Sequence, residues 1–505
     1  MLRAVNAALR TLIAIVLLAG SVPGLACSDR IRAGTLDLAT ATLDDITAAL
    51  AQKKVTSVQL VDAYLGRIAA CDDEKHAIIS INRAASREAR ALDAERAAGK
   101  LRGPLHGVPV IIKDNIDLAG AVTTAGSFAL VDNERVTSAP VVEQLAKAGA
   151  IVIAKANLSE WANFRSKNSA SGWSAVGGLV ANARDPLRSA CGSSSGSAVA
   201  VTLHFAPLAV GTETNGSIVC PASVNGIVGF KPTIGWISQQ GIVPISRTQD
   251  TAGPMAGSVA DAALLLGAMV GEEHAQDFRG ALRADALKGA RLGVARFIKG
   301  YSPRTDQAFE KMLASLRSAG AELVEIPDYD FADLRDLEST ILVTEFKAGI
   351  NAYLSTAPPA VKPRTLEALI ALNRAEPREL EWFGQEWFEQ AQAGGGLDDP
   401  AYVAALKKAL LLSRANGIDK LLADNKVVAL VAPTNGPAWS VDLINGDRAV
   451  GSASLLPAVA GYPHLTVPAG NVAGLPVGLS FIGTAGSDAT LLSLGYSFER
   501  ARDAR

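Results

Sequence analysis

The amino-acid sequence predicts an α/β fold in which a central mixed, twisted sheet is covered by helices on both faces. Two observations carry this expectation. Short β-branched runs alternate with segments of helical period along most of the chain, the pattern that builds layered α/β domains. The 505 residues, 49% of them hydrophobic, suffice for a sizeable core, and no short fixed repeat suggests a solenoid or propeller.

Taken in order, residues 1–26 match a secretory signal peptide: Arg3 and Arg10, an apolar run from Leu12 to Leu18, then Gly24 and Ala26 before Cys27. Cleavage after Ala26 is expected, which makes the mature protein secreted or periplasmic. Lipid modification of Cys27 is the rival reading. No later run approaches the roughly 20 apolar residues of a membrane helix. Thr42 to Leu50 and Ser57 to Ala70 read as helices, the second behind a Ser57 cap with Val58, Val61, Leu65 and Ile68 on one face. Strands are expected at Val108 to Ile112, Ile151 to Ala154 and Leu208 to Val210, with helices near Ala139 to Ala148 and Leu158 to Phe164. Leu292 to Val294 and Leu323 to Ile326 continue the rhythm. Residues 333–423 then read as a largely helical insertion broken by Pro358, Pro359, Pro363 and the run Gly394 to Gly396. Strands return at Val427 to Val431, Leu465 to Val467 and Val477 to Ile482 before a closing helix from Asp488 to Arg502. No linker divides the chain, so residues 27–505 are expected to form a single domain.

A net charge of −2 and the lack of a basic stripe set nucleic acid aside as a partner. The four cysteines, Cys27, Cys71, Cys191 and Cys220, show no C-x-x-C spacing, so no metal site or other cofactor is expected. Cys191 and Cys220, like Cys27 and Cys71, are left open between disulfides and buried thiols. Oligomeric state is not legible.

Chemistry concentrates in two Gly/Ser loops either side of an apolar helix, Cys191-Gly-Ser-Ser-Ser-Gly-Ser197 and Gly211-Thr-Glu-Thr-Asn-Gly-Ser217. Such loops can aim several backbone N–H groups at one point, as a developing oxyanion requires. Neither loop has a P-loop or dinucleotide ending. Gly192 to Gly196 fits G-x-S-x-G, with Ser194 as nucleophile and His464 as base, but a polar, proline-containing loop precedes it where a nucleophile elbow needs a strand. None of the five histidines, His76, His106, His204, His274 and His464, is singled out by spacing. A serine activated without histidine needs a neutral lysine, and Lys113, at the end of the run Val108 to Ile112, is placed to be desolvated.

Together with Gly103-Pro-Leu-His-Gly-Val-Pro-Val-Ile-Ile-Lys113-Asp-Asn115, Lys155-Ala-Asn157-Leu-Ser-Glu160, Gly229-Phe-Lys-Pro-Thr233 and Gly461-Tyr-Pro-His-Leu-Thr-Val-Pro468, these loops resemble the amidase signature family over most of residues 42–503. The resemblance implies Ser217 as nucleophile, Ser193 as bridging serine, Lys113 as base and a cis peptide between Gly192 and Ser193. It also implies that Thr214, Asn215 and Gly216, with Ser217, offer N–H groups to the oxyanion. The expected reaction is hydrolysis of a carboxamide to carboxylate and ammonia through an acyl-enzyme. This sequence departs from the commonest family pattern at Cys191, Ser195, Asn215 and Val219. An apolar Val219 in place of an arginine argues against a substrate carboxylate pairing there, as in the tRNA-dependent amidotransferase relatives. Ser217-Ile-Val-Cys-Pro-Ala222, Glu160-Trp-Ala-Asn-Phe-Arg165 and Ser171-Gly-Trp-Ser174 look like the bacterial peptide amidases, so the C-terminal amide of a peptide is the expected substrate. General aliphatic or aryl amides are the alternative, and an amidotransferase role, handing ammonia to another enzyme, is the more distant one.

Overall fold

The computed structural model describes residues 31–298 and 300–503. The expected signal peptide and Cys27 lie outside these residues. An eleven-stranded mixed sheet organises the chain. Numbered within that sheet, its strands are β1 Ile78–Ile81, β2 Pro109–Lys113, β3 Ile151–Ala156, β4 Leu208–Glu213, β5 Val228–Lys231, β6 Thr251–Ala256, β7 Arg291–Ala295, β8 Glu322–Ile326, β9 Ala429–Pro433, β10 His464–Val472 and β11 Leu475–Ile482. Their spatial order is β8-β7-β9-β11-β10-β5-β6-β4-β2-β3-β1.

The run β4-β2-β3 is parallel, with Ile112 opposite Val210 and Lys155, so the C-terminal ends of β2 and β4 lie side by side. Every residue of β2, β3 and β4 is buried, which explains why each opens with an unbroken apolar run in place of alternation. The helix Ser195–Thr202 crosses from the first Gly/Ser loop back to β4, and Val219–Asn225 follows the second loop and packs on β5, β10 and β11. Ser57–Cys71 differs from expectation at its cap: Thr56, not Ser57, accepts the N–H of Gln59.

Between β8 and β9 the chain is largely helical, with Leu334–Ser355, Leu366–Ala375, Glu386–Ala393 and Pro400–Ser413 as its main helices. Phe346 and Phe388 of this segment form one apolar cluster with Trp161, Phe164, Val243 and Ile245. Phe164 stacks on Trp387 at 5.4 Å. The helix expected over 158–164 is instead a 3-10 turn, Glu160–Asn163, in which Trp161 and Ala162 take left-handed conformations. Tertiary bonds account for the difference: Trp161 N–H donates to Ala125 C=O, and Ala175 N–H donates to the Glu160 carboxylate.

No helix among the described residues is long and apolar enough to cross a membrane.

Candidate active site

Lys113 ends β2 with its side chain wholly buried. Its Nζ lies 2.7 Å from Ser193 Oγ, 2.9 Å from Thr212 Oγ1 and 3.3 Å from Thr212 C=O. Asn115 Nδ2 donates to the same Thr212 hydroxyl at 3.0 Å, which fixes that rotor. Burial draws the lysine down to about 7, against the opposing pull of Asp250 and Glu213. A lysine that loses its charge near neutrality has two N–H donors and one lone pair. Thr212 supplies an acceptor for each N–H, so the lone pair is free to face Ser193.

Ser193 follows a cis Gly192–Ser193 peptide. Its carbonyl accepts from Ser159 N–H. The loop is tightly packed: a Cβ at Gly192 would fall 2.0 Å from Ser159 Oγ. Ser194 N–H in turn donates to Ser217 C=O at 3.1 Å, joining the two Gly/Ser loops backbone to backbone.

The loop after β4 closes on its own carboxylate. Glu213 Oε2 accepts N–H bonds from Ile218 at 2.7 Å and Val219 at 3.0 Å, which folds residues 214–217 into a tight projection. Gly216 sits at φ 85°, the left-handed region that suits glycine. Thr214 Oγ1 donates to Asp250 at 2.6 Å, and Asp250 also accepts from Ile245 and Ser246 N–H. Cys191 and Cys220 form a disulfide, so the loops carrying Ser193 and Ser217 are joined covalently as well. Cys71 is also disulfide-bonded.

Lys113, Ser193 and the 214–217 loop therefore come together. The rival pair does not. Ser194 Oγ donates to Thr212 C=O and accepts from Thr212 N–H, while His464 lies on β10 with its Nε2 2.6 Å from Ser480 Oγ. Burial and nearby Lys231 hold His464 at about 3, too low for a base at neutral pH. Residues with no chemical signal of their own in the sequence complete the site. Thr212 and Asn115 stand beside the reactive residues in their motifs; Asp250, Gln249, Glu338 and Ser454 come from remote segments. A cavity of about 820 Å³ between Asp117, Arg135, Gln239 and Tyr353 includes none of Lys113, Ser193 and Ser217. Chemistry rather than volume locates the site.

The sequence profile of the Amidase family matches residues 59–492. The chain is 37% identical over 491 residues to a probable amidase of Arabidopsis thaliana, covering 92% of this chain and 91% of that protein. It is 34% identical over 489 residues to a glutamyl-tRNA(Gln) amidotransferase subunit from Halorhodospira halophila, covering 92% of this chain and 97% of that protein. Among solved structures, native peptide amidase from Stenotrophomonas maltophilia superposes with a TM-score of 0.86 at 44% identity, covering 92% of this chain and 97% of that one. The chymostatin complex of the peptide amidase PAM gives 0.88 at 45% identity, covering 92% and 98%. By family profile and by full-length relatives alike, the chain belongs to the amidase family.

Proposed function

We propose that this amide-hydrolysing enzyme removes the C-terminal amide of peptides, with Ser217 as nucleophile, Ser193 as proton bridge and Lys113 as base. The observation that carries the reading is the 2.7 Å contact between a wholly buried Lys113 and Ser193, on the loop bonded to Ser217. As Ser217 Oγ attacks the amide carbon, its proton passes to Ser193 while the Ser193 proton passes to Lys113 Nζ. The N–H groups of residues 214–217 receive the charge that develops on the carbonyl oxygen. Collapse of the tetrahedral adduct returns the proton through Ser193 to the departing nitrogen, releasing ammonia. Water then attacks the acyl-enzyme, giving one proton to Lys113 by the same route, and Ser217 recovers that proton as the carboxylic acid leaves and ionises to carboxylate in solvent.

The peptide substrate is supported by the 44–45% identity to peptide amidases over nearly whole chains and by Val219, which is buried and apolar and offers no cation to a substrate carboxylate. The Cys191–Cys220 disulfide supports a working place outside the cytoplasm, since such bonds persist in oxidising compartments.

Ammonia release from peptide C-terminal amides, free amino-acid amides and simple aliphatic or aryl amides tests the reading, with Ser217→Ala alongside. Preference for peptide amides that vanishes in the variant is the expected result. Activity confined to simple amides would overturn the substrate class and leave the mechanism.

A further inference from the structure

Asn215 stands between the proposed oxyanion donors Thr214 and Gly216, and both ends of its side-chain amide are held. Its Oδ1 accepts from Ser454 Oγ at 2.5 Å, and its Nδ2 donates to Glu338 Oε1 at 2.8 Å. Glu338 belongs to the helix Leu334–Ser355 of the helical segment and is 6% exposed. The same Oε1 accepts from Gln249 Nε2 at 2.9 Å, and that Nε2 also lies 3.5 Å from Thr214 C=O. One carboxylate oxygen thus holds the catalytic loop twice, directly through Asn215 and through Gln249 at the neighbouring carbonyl.

The arrangement is costly as mere packing. Burial pushes the Glu338 carboxyl above the usual carboxylate range, opposed by the two amide donors. Replacing such a group and its amide partners together with apolar groups of similar shape is commonly close to neutral for stability, so the presence of the whole set asks for another reason. The backbone N–H groups of residues 214–217 are useful only if they point at the oxyanion before it forms, because donors that must reorganise lose their advantage. Glu213 and Asp250 hold the base of this loop, and its tip, Asn215-Gly216, needs a hold of its own. Asn215 supplies a handle, and Glu338 and Ser454 grip it from opposite ends.

We propose that Glu338 is a positioning residue that fixes the oxyanion loop through Asn215 and so couples the helical segment to the catalytic loop. The inference rests on the Ser217 mechanism proposed above but not on which amide is the substrate.

Two readouts test it: kcat and KM on a simple aryl amide, and the rate at which a fluorophosphonate labels Ser217. Glu338→Ala is expected to lower both kcat and the labelling rate by roughly 10- to 100-fold, with KM within about two-fold. Glu338→Gln, which keeps an acceptor in place, should recover most of the loss. Asn215→Ala should reproduce most of the Glu338→Ala defect, and adding Glu338→Ala to it should cost clearly less than Glu338→Ala costs alone, because the Asn215–Glu338 contact is shared and only the hold through Gln249 is left to lose. Multiplying defects in the double variant, or Asn215→Ala labelled and turning over within about two-fold of wild type, would overturn the proposal. The Asn215→Ala arm leaves the helix untouched, so it decides the matter even where Glu338→Ala fails to fold. Wild-type labelling at a serine other than Ser217 would instead sink the nucleophile assignment, and failure on peptide amides alone would sink only the substrate class.

Discussion

Lys113 and Ser193, 80 residues apart in the chain, meet with Nζ 2.7 Å from Oγ in a site where both side chains are wholly buried. The pH profile follows from this pairing. The proposed base works only when neutral, and burial sets its titration at about 7. Above that value the amine is free to accept a proton; below it each pH unit leaves about one-tenth as much of the neutral form. We expect kcat/KM to rise through about pH 7 to a plateau on the alkaline side, measured as ammonia release. Lys113→Met should lower turnover by at least ~100-fold. Stability should separate from activity. A lysine depressed in the folded state, against about 10.4 when unfolded, makes unfolding take up a proton between these values, so wild-type stability rises with pH across that window. Lys113→Met should lose that slope and melt no lower at neutral pH.

The three serines of the site are expected to separate by function. Ser217→Ala should remove activity by roughly 10⁴-fold or more, since the attacking atom is gone. Ser193→Ala removes the hydroxyl that links Lys113 toward the second loop and should cost at least ~100-fold. Ser194 bonds to both the carbonyl and N–H of Thr212, a backbone support. Ser194→Ala should stay within about ten-fold of wild type, a loss on the scale of a misplaced contact. Steady-state assays and mass-spectrometric location of the phosphonate adduct check all three.

What can be read from the sequence follows from how local each feature is. Lys113 is legible because an apolar run carries it to a strand end, and Ser193 and Ser217 because both sit in Gly/Ser loops with few other uses. β6 is not, since Gly253-Pro254 reads against a central strand. The structure explains the glycine: a Cβ at 253 would meet Phe230 C=O at 2.2 Å. Glu338 is illegible for the opposite reason. It lies 123 residues from Asn215 on a helix of ordinary composition, and only the packed fold shows which of the segment's many acidic residues reaches the loop. Residues 158–164 carry helical spacing that long-range hydrogen bonds override.

The Cys191–Cys220 bridge joins residues 29 positions apart and encloses both proposed catalytic serines. In the chain-entropy treatment a loop of this size stabilises by about 3 to 4 kcal/mol. Paired replacement of Cys191 and Cys220 by alanine should lower Tm and lower kcat more than it raises KM, because the bridge holds the two loops in register. Thermal unfolding and steady-state turnover of the paired variant beside wild type check both changes. An unchanged kcat in the paired variant would mean that the backbone bond from Ser194 to Ser217 suffices to align the loops.

Arg165 is the residue whose loss should most weaken the attachment of the helical segment. Its guanidinium lies 3.2 Å from Glu160 Oε1 and 3.8 Å from Glu379 Oε2, and it donates to the Glu379 carbonyl; all three side chains are buried. Phe383 and Trp173 face it at 4.7 and 5.6 Å. Glu379 also accepts from Ser127 Oγ and Phe128 N–H, so one arginine joins two carboxylates across the boundary between the core and the segment. Burial, and then Glu379, push Glu160 well above the carboxylate range, and Arg165 opposes them. Arg165→Ala leaves two buried carboxylates without their cation, a change that costs about 3 to 5 kcal/mol. Arg165→Lys should recover only part of this, since an ammonium cannot span both partners in the plane of a guanidinium. The sign of the pH dependence follows from the unpaired acids. Glu160, already raised by burial in the folded state, is raised further once its cation is gone, so stability is retained in acid, where it is protonated, and lost as pH rises through the unfolded carboxylate range. The Tm deficit of Arg165→Ala should therefore be larger at pH 8 than at pH 5. A deficit that widens in acid would mean that the cation, not the pair of carboxylates, sets the cost of this buried cluster.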